Sequence, residues 1–251
     1  MKRKTYLILA IGIVGLISLS AVSAITPATT ANDNVSSSWW WGGSDDTTNN
    51  LSYQELEPGD WVILGTSGTF FDFIIPGEYG HSVMFCGFVD YYGQIWDRDN
   101  NEWMAAGTPY VIHSTKSDEA GNGLGYSTWE NAVNNHAEFA RSLEVPYLSA
   151  SQKQQAVNFL KSELDGGWDG TPVGPKYDWG WTCKQVDADD SNGLSGVKGY
   201  YCSEAVWAAY KGALGIDLDP DGDSWSWSTA YGVSPDDLMN DGDSSTIAYD
   251  D

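Results

Sequence analysis

The stretch Tyr200-Tyr201-Cys202-Ser203-Glu204-Ala205-Val206-Trp207-Ala208-Ala209-Tyr210 follows a loop punctuated by Gly193, Gly196 and Gly199. Its second half is apolar and alanine-rich, which predicts a buried helix ending at Gly212 or Gly215. Cys202 then falls in the first helical turn, among backbone N–H groups that lack intrahelical acceptors and at the positive end of the helix dipole. Both features favour a thiolate, the nucleophilic form of the side chain. A small buried core cysteine, or half of a disulfide, is the competing reading of the same position.

The 251-residue chain has room for one large domain. Lys2-Arg3-Lys4, an apolar run from Leu7 to Leu19 and Val22-Ser23-Ala24 read as a secretory signal over residues 1–24, with an uncleaved N-terminal anchor as the alternative. This makes the protein secreted or held at the cell surface. Residues 25–50 are rich in Ser, Thr, Asn and Asp without periodicity and read as a disordered linker, interrupted by Trp39-Trp40-Trp41. The folded domain is expected over 51–251. Loss of the signal's three basic residues takes the formal charge from −23 to −26. So acidic a chain excludes nucleic acid as a partner and disfavours any strong association with anionic membranes.

Leu56-Glu57-Pro58-Gly59-Asp60 predicts a turn, because proline presets the first central dihedral and glycine accepts the second. It launches a strand over 61–64. Further strands are expected over 81–90 and 110–113, with a turn-rich polar insertion between them that includes Asp97 to Glu102. A short helix is expected over 127–133 and a long one over 149–164, where Ser149 and Gln152 form a capping box. Ser234-Pro235-Asp236-Asp237 should start a last short helix. Strands early and helices late predict an α+β fold in which an antiparallel sheet packs against helices.

A nucleophilic cysteine needs a base and the base needs an orienting group. The sequence offers three histidines. His81 opens a strand and shares a face with Val83 and Phe85, which turns Cys86 to the other face. His113 ends another strand. His136 lies in the polar Asn134-Asn135-His136 and is expected to be solvated.

Leu56-Glu57-Pro58-Gly59-Asp60-Trp61-Val62, then His81-Ser82-Val83-Met84-Phe85, then Tyr201-Cys202-Ser203-Glu204-Ala205-Val206-Trp207 resembles the permuted branch of the NlpC-type papain-like superfamily. These are the YiiX-like hydrolases, with the lecithin:retinol acyltransferase enzymes as more distant relatives. Tyr177-Asp178-Trp179 and Val233-Ser234-Pro235-Asp236-Asp237-Leu238 are similar to the same chains. The resemblance covers roughly residues 51–240. It implies a circularly permuted papain-like fold, with Cys202 as nucleophile, His81 as base and His113 as the third polar residue, Asp178 being the alternative for that place. It also implies acyl transfer through a thioacyl intermediate, with the Cys202 N–H as oxyanion donor. The expected substrate is a peptide, a cell-envelope component or another acyl-containing molecule.

Three further readings stay open. The chain is a hydrolase of amide or ester bonds, a lipid-type acyltransferase using the same residues, or a non-catalytic acidic binding module. Asp217-Leu218-Asp219-Pro220-Asp221-Gly222-Asp223 matches the first half of a calcium loop, but Ser228 stands where the closing glutamate belongs. An acidic solvated turn is therefore the preferred reading there, and neither a metal nor a cofactor is assigned. Three cysteines leave at least one unpaired within a monomer, with Cys86–Cys183 as the conceivable disulfide.

Overall fold

The structure, a computed structural model, describes residues 48–65, 78–115, 123–166, 172–178, 184–186, 199–219 and 232–250. The expected signal segment, the linker up to residue 47 with its three tryptophans, Cys183 and residues 220–223 of the acidic loop lie outside the described residues.

The strands are β1 (Trp61–Gly65), β2 (Tyr79–Phe88), β3 (Trp96–Asp97), β4 (Glu102–Trp103), β5 (Pro109–Thr115), β6 (Gly123–Thr128), β7 (Phe139–Glu144), β8 (Asp165–Gly166), β9 (Pro172–Val173), β10 (Lys176–Tyr177), β11 (Gly199–Tyr200) and β12 (Ser245–Asp250). A single π-helical turn spans Glu130–Asn134, and the helices are α1 (Ala150–Glu163), α2 (Cys202–Leu214) and α3 (Pro235–Asn240). Six strands form the main sheet in the order β12-β7-β1-β2-β5-β6. All of its pairings are antiparallel. The fold is therefore α+β, with an antiparallel sheet packed against helices.

Both sheet faces are covered, so β1 reads as a continuous apolar run rather than an alternation. Trp61, Ile63, Met84, Ile112 and Leu143 face α1 and α2 in one core cluster. Val62, Leu64, Val83, Phe85 and Val111 pack in the other, against Trp129, Ala132, Val133 and Ala137. Cys86 belongs to the first cluster and Val83 and Phe85 to the second, as the strand parity requires.

Local chemistry sets the element ends. Ser149 caps α1 through the expected box with Gln152. Ser234 caps α3, which has proline in its first turn. Gly215 closes α2 at φ 72°, a left-handed conformation that costs glycine nothing. Gly212, the other expected stop, stays inside α2 because a Cβ there would run into the Phe159 ring of α1. Gly59 combines φ 106° with a close approach to the Lys153 backbone, so no side chain fits at that turn. Lys153 is buried in α1 and its ammonium reaches Asp60 at 2.8 Å and Glu144 at 2.7 Å, tying the helix to β1 and β7.

Three expectations change. The helix expected over 127–133 is the end of β6 followed by the π-helical turn. Residues 127 and 128 pair with β5, and the tertiary ladder overrides their local preference. Strands β7 and β12 were not expected, because a partly polar segment such as Phe139-Ala140-Arg141-Ser142-Leu143-Glu144 carries a weak period-two signal. Packing also starts before Leu51. Asn49, assigned to the linker, is buried, and its amide donates to the carbonyls of Val133 and Ala137 at 2.8 and 2.9 Å.

Candidate active site

Cys202 is the first residue of α2, following Tyr201 at the N-cap. Glu204, fully buried in the first turn, reaches back so that Oε2 accepts from the Tyr201 N–H at 3.2 Å. Its Oε1 accepts from the Gln185 N–H at 2.9 Å. The hydroxyl of Tyr201 accepts from Val233 N–H at 2.7 Å. These bonds fix where the helix begins and so where the thiol sits.

The start of α2 enters between the splayed ends of β2 and β5. The ladder between those strands runs only from Met84↔Ile112 to Phe88↔Pro109. Beyond it, the Ser114 hydroxyl of β5 donates to the Tyr200 carbonyl at 2.6 Å. On the β2 side, Cys202 Sγ lies 4.0 Å from the Gly80 carbonyl oxygen. The thiol thus sits buried beyond the end of the β2–β5 ladder, beside the backbone that leads into His81.

His81 and His113 are on the sheet face of Val83, Phe85 and Val111, and their rings meet: His81 Nε2 is 3.0 Å from His113 Nδ1. His113 Nε2 is 3.1 Å from Asp99 Oδ2. Arg98 bonds the other oxygen of Asp99, with Nε at 3.3 Å and Nη2 at 3.2 Å. Its Nη1 donates to the Gly123 carbonyl. His136 closes the cluster, its ring centroid 4.9 Å from that of His81.

The electrostatics follow from burial. His81 is 7% and His113 3% exposed. Burial, then the neighbouring His136 and His113 rings, hold His81 well below the usual histidine range, so it is neutral at neutral pH. Burial also draws His136 down, to about 4. Burial works against an ionised Asp99, yet His113 and Arg98 beside it hold its carboxyl well below the ordinary carboxylate range. The Cys202 thiol, 4% exposed, is pushed up by burial. The backbone N–H groups of Ser82 and Ser203 act in the opposite direction but do not win. The Ser203 hydroxyl donates to the Val233 carbonyl at 2.7 Å, so its proton is not available to the sulfur.

The outcome for each expected site residue is specific. His113 stands next to His81, where the third polar residue was expected. Asp178 lies instead beside Tyr200, its N–H donating to the Tyr200 carbonyl at 3.2 Å. Three expectations are corrected. The resting cysteine is a protonated thiol, because desolvation outweighs the helix-start donors. Among the described residues no hydrogen bond joins Cys202 Sγ to either imidazole; His81 Nε2 is turned to His113 instead. His136, expected to be solvated, packs against His81 because the π-helical turn folds it back over the sheet.

No protein-family model matches this chain. No curated protein matches it either. Among solved structures it is similar to the crystal structure of the metalloprotein YiiX from Escherichia coli O157:H7, at 16% identity and a TM-score of 0.46, with 76% of this chain and 96% of that one covered.

Sequence reasoning missed Arg98 and Asp99, which it read as a turn. The signal was there in part: Asp97-Arg98-Asp99-Asn100 is a run of charged and amide side chains in an insertion directly between the two histidine strands. Among the described residues, no group of three or more His, Cys, Asp or Glu side chains is arranged to hold a metal ion. His81 and His113 point ring nitrogens at each other, and both nitrogens of His113 are engaged. In the acidic loop, Asp217 accepts from Trp207 and Lys211 at 2.7 and 2.8 Å. Asp219 pairs with Lys184 at 2.7 Å. Cys86 is a free, buried thiol; Cys183, with which the sequence left a pairing open, lies outside the described residues.

Proposed function

We propose that this protein is an exported cysteine hydrolase of the YiiX-like, papain-like type, cleaving amide or ester bonds in a peptide, cell-envelope or other acyl-containing substrate. The observation that carries the reading is the hydrogen-bonded pair His81–His113, set beside the backbone against which the Cys202 sulfur rests. A cysteine at a helix start, an imidazole beside it and a second polar group on that imidazole is the arrangement nucleophilic acyl transfer uses.

In this mechanism His81 takes the Cys202 proton as the sulfur attacks the carbonyl carbon. The tetrahedral oxyanion is received by the Cys202 N–H at the start of α2, where the dipole favours negative charge. His81 then protonates the leaving group, the thioacyl enzyme forms, and water activated by His81 releases the acid. The resting thiol is neutral and not bonded to His81, so the pair closes up when substrate enters. Catalytic hydrogen bonds are commonly long or unmade in substrate-free sites.

The test is turnover of the purified protein on panels of peptide amides and activated esters, with mass spectrometry of the trapped acyl-enzyme. Acyl-Cys202 and loss of turnover in Cys202→Ala support the reading; acylation elsewhere defeats it. Adding acyl acceptors separates hydrolysis from lipid-type transfer. One observation favours the non-catalytic module instead: Cys202 is buried, protonated and without an imidazole bond. Absence of any thiol reactivity at Cys202 would decide for that module.

A further inference from the structure

The contacts of Asp99 fix where the protons sit on two histidine rings. Asp99 is an ionised carboxylate, and both of its oxygens can only accept. Arg98 supplies Oδ1, so the 3.1 Å contact between Oδ2 and His113 requires the hydrogen to sit on His113 Nε2. The 3.2 Å approach of Arg98 Nη2 to the same nitrogen is then not a hydrogen bond. Arg98 already has acceptors in Asp99 and the Gly123 carbonyl, and an unprotonated Nε2 would set two lone pairs against each other at Oδ2. A His113 ring carrying only that hydrogen presents Nδ1 as an acceptor. The 3.0 Å bond to His81 is then donated by His81 Nε2. That leaves His81 Nδ1 unprotonated, and no hydrogen bond occupies it among the described residues.

We propose that Asp99 is a positioning residue that sets the tautomers of both His113 and His81, leaving Nδ1 of His81 as the ring nitrogen able to accept a proton. The catalytic consequence rests on the hydrolase reading; the tautomer assignment does not. The turn that carries Asp99 is built to hold it still. Asp97 accepts from the Asp99 and Asn100 N–H groups at 2.9 and 3.1 Å and from the Asn100 amide at 3.0 Å. The Arg98 N–H donates to the Tyr126 carbonyl at 2.9 Å, which pins the turn to β6. Gly125, directly opposite His113 in the ladder, leaves the space that the Arg98 side chain fills. Exchanging the carboxylate for an amide reverses the direction of the whole hydrogen-bond chain. The amide donates to His113 Nε2, His113 donates through Nδ1, and His81 is left with its hydrogen on Nδ1, where that nitrogen can no longer accept a proton.

Long-range proton–nitrogen NMR of the histidine rings at neutral pH tests this without any substrate. In the wild type we expect the hydrogen on Nε2 of both His113 and His81. Asp99→Asn, nearly the same size, is expected to move both to Nδ1, to lower the thermal midpoint because Arg98 loses its buried carboxylate partner, and to cut turnover by roughly 10²- to 10⁴-fold, as tautomer reversal does in a serine-protease triad. Wild-type rings with His113 protonated on Nδ1, or on both nitrogens, would overturn the assignment, and so would an Asp99→Asn protein with unchanged tautomers. If Asp99→Asn does not fold, the wild-type spectrum alone decides. Full turnover in Cys202→Ala would sink the hydrolase reading while leaving the tautomers as assigned.

Discussion

The sulfur of Cys202 lies 4.0 Å from the carbonyl oxygen of Gly80, the residue immediately before His81. The thiol and the imidazole therefore flank one short stretch of backbone without bonding each other. This relationship governs how the cysteine should behave. Burial raises the titration of the thiol, so the resting sulfur keeps its proton.

Alkylation should reflect that state. Iodoacetamide is expected to label Cys202 before Cys86, whose thiol burial pushes up to about 12. The Cys202 rate should keep rising with pH above neutrality, since burial raises its own titration as well. A rate already level between about pH 5 and pH 7, the signature of a low-pKa thiolate, would contradict the structure.

His113 and Asp178 should separate cleanly. His81 Nε2 is met by His113, so His113→Ala is expected to lower turnover by roughly 10- to 10³-fold, less than His81→Ala, because an orienting group contributes less than the base. Asp178 is buried beside Tyr200. Asp178→Asn should lower the unfolding midpoint more than the turnover of the folded protein. The reverse pattern in a side-by-side comparison would move the orienting role to Asp178.

Acid should weaken the histidine cluster. In the unfolded chain a histidine takes its proton near 6.5, whereas folded His136 does so only near 4. Between those values the unfolded state binds more protons, so stability present above about 6.5 is lost as pH falls towards and through 4. His81 is displaced in the same direction. Glu204, raised by burial, acts with the opposite sign: its contribution is present below the ordinary carboxyl range and lost as pH rises through its higher folded value. The measurement is therefore differential. The Tm-versus-pH curve of His136→Gln should be flatter than wild type between pH 6.5 and 4, by a few degrees. Parallel curves would exclude the effect.

Glu204 should matter for stability more than its position suggests. Glu204→Ala leaves the Tyr201 and Gln185 N–H groups buried without their acceptors. At about 1–3 kcal/mol for each unsatisfied donor, the loss should be about 2–6 kcal/mol in chemical denaturation. Glu204→Gln, which keeps one acceptor oxygen, should lose clearly less. Equal losses would mean that the charge, and not the acceptor geometry, is what counts.

The sequence by itself determined the local features. The Pro58-Gly59 turn, the Ser149 and Ser234 caps, and the strand parity that parts Cys86 from His81 all depend on residues within a few positions of one another. Each is settled by backbone sterics or short-range hydrogen bonds, which a single chain segment already contains. Strands β7 and β12 and the π-helical turn were not legible, because their pairing energy comes from partners far along the chain rather than from their own pattern.

At the site the same division holds. The residue types and their order placed Cys202 on a helix start and His81 and His113 on strands. Only the tertiary structure could bring His113 to His81, fold His136 onto them, and carry Asp99 from a polar turn into the cluster. It alone also decided the charge state. The helix start favours a thiolate locally, but desolvation depends on everything packed around the sulfur. Here the cost of burying a charge outweighs the local donors and keeps Cys202 protonated.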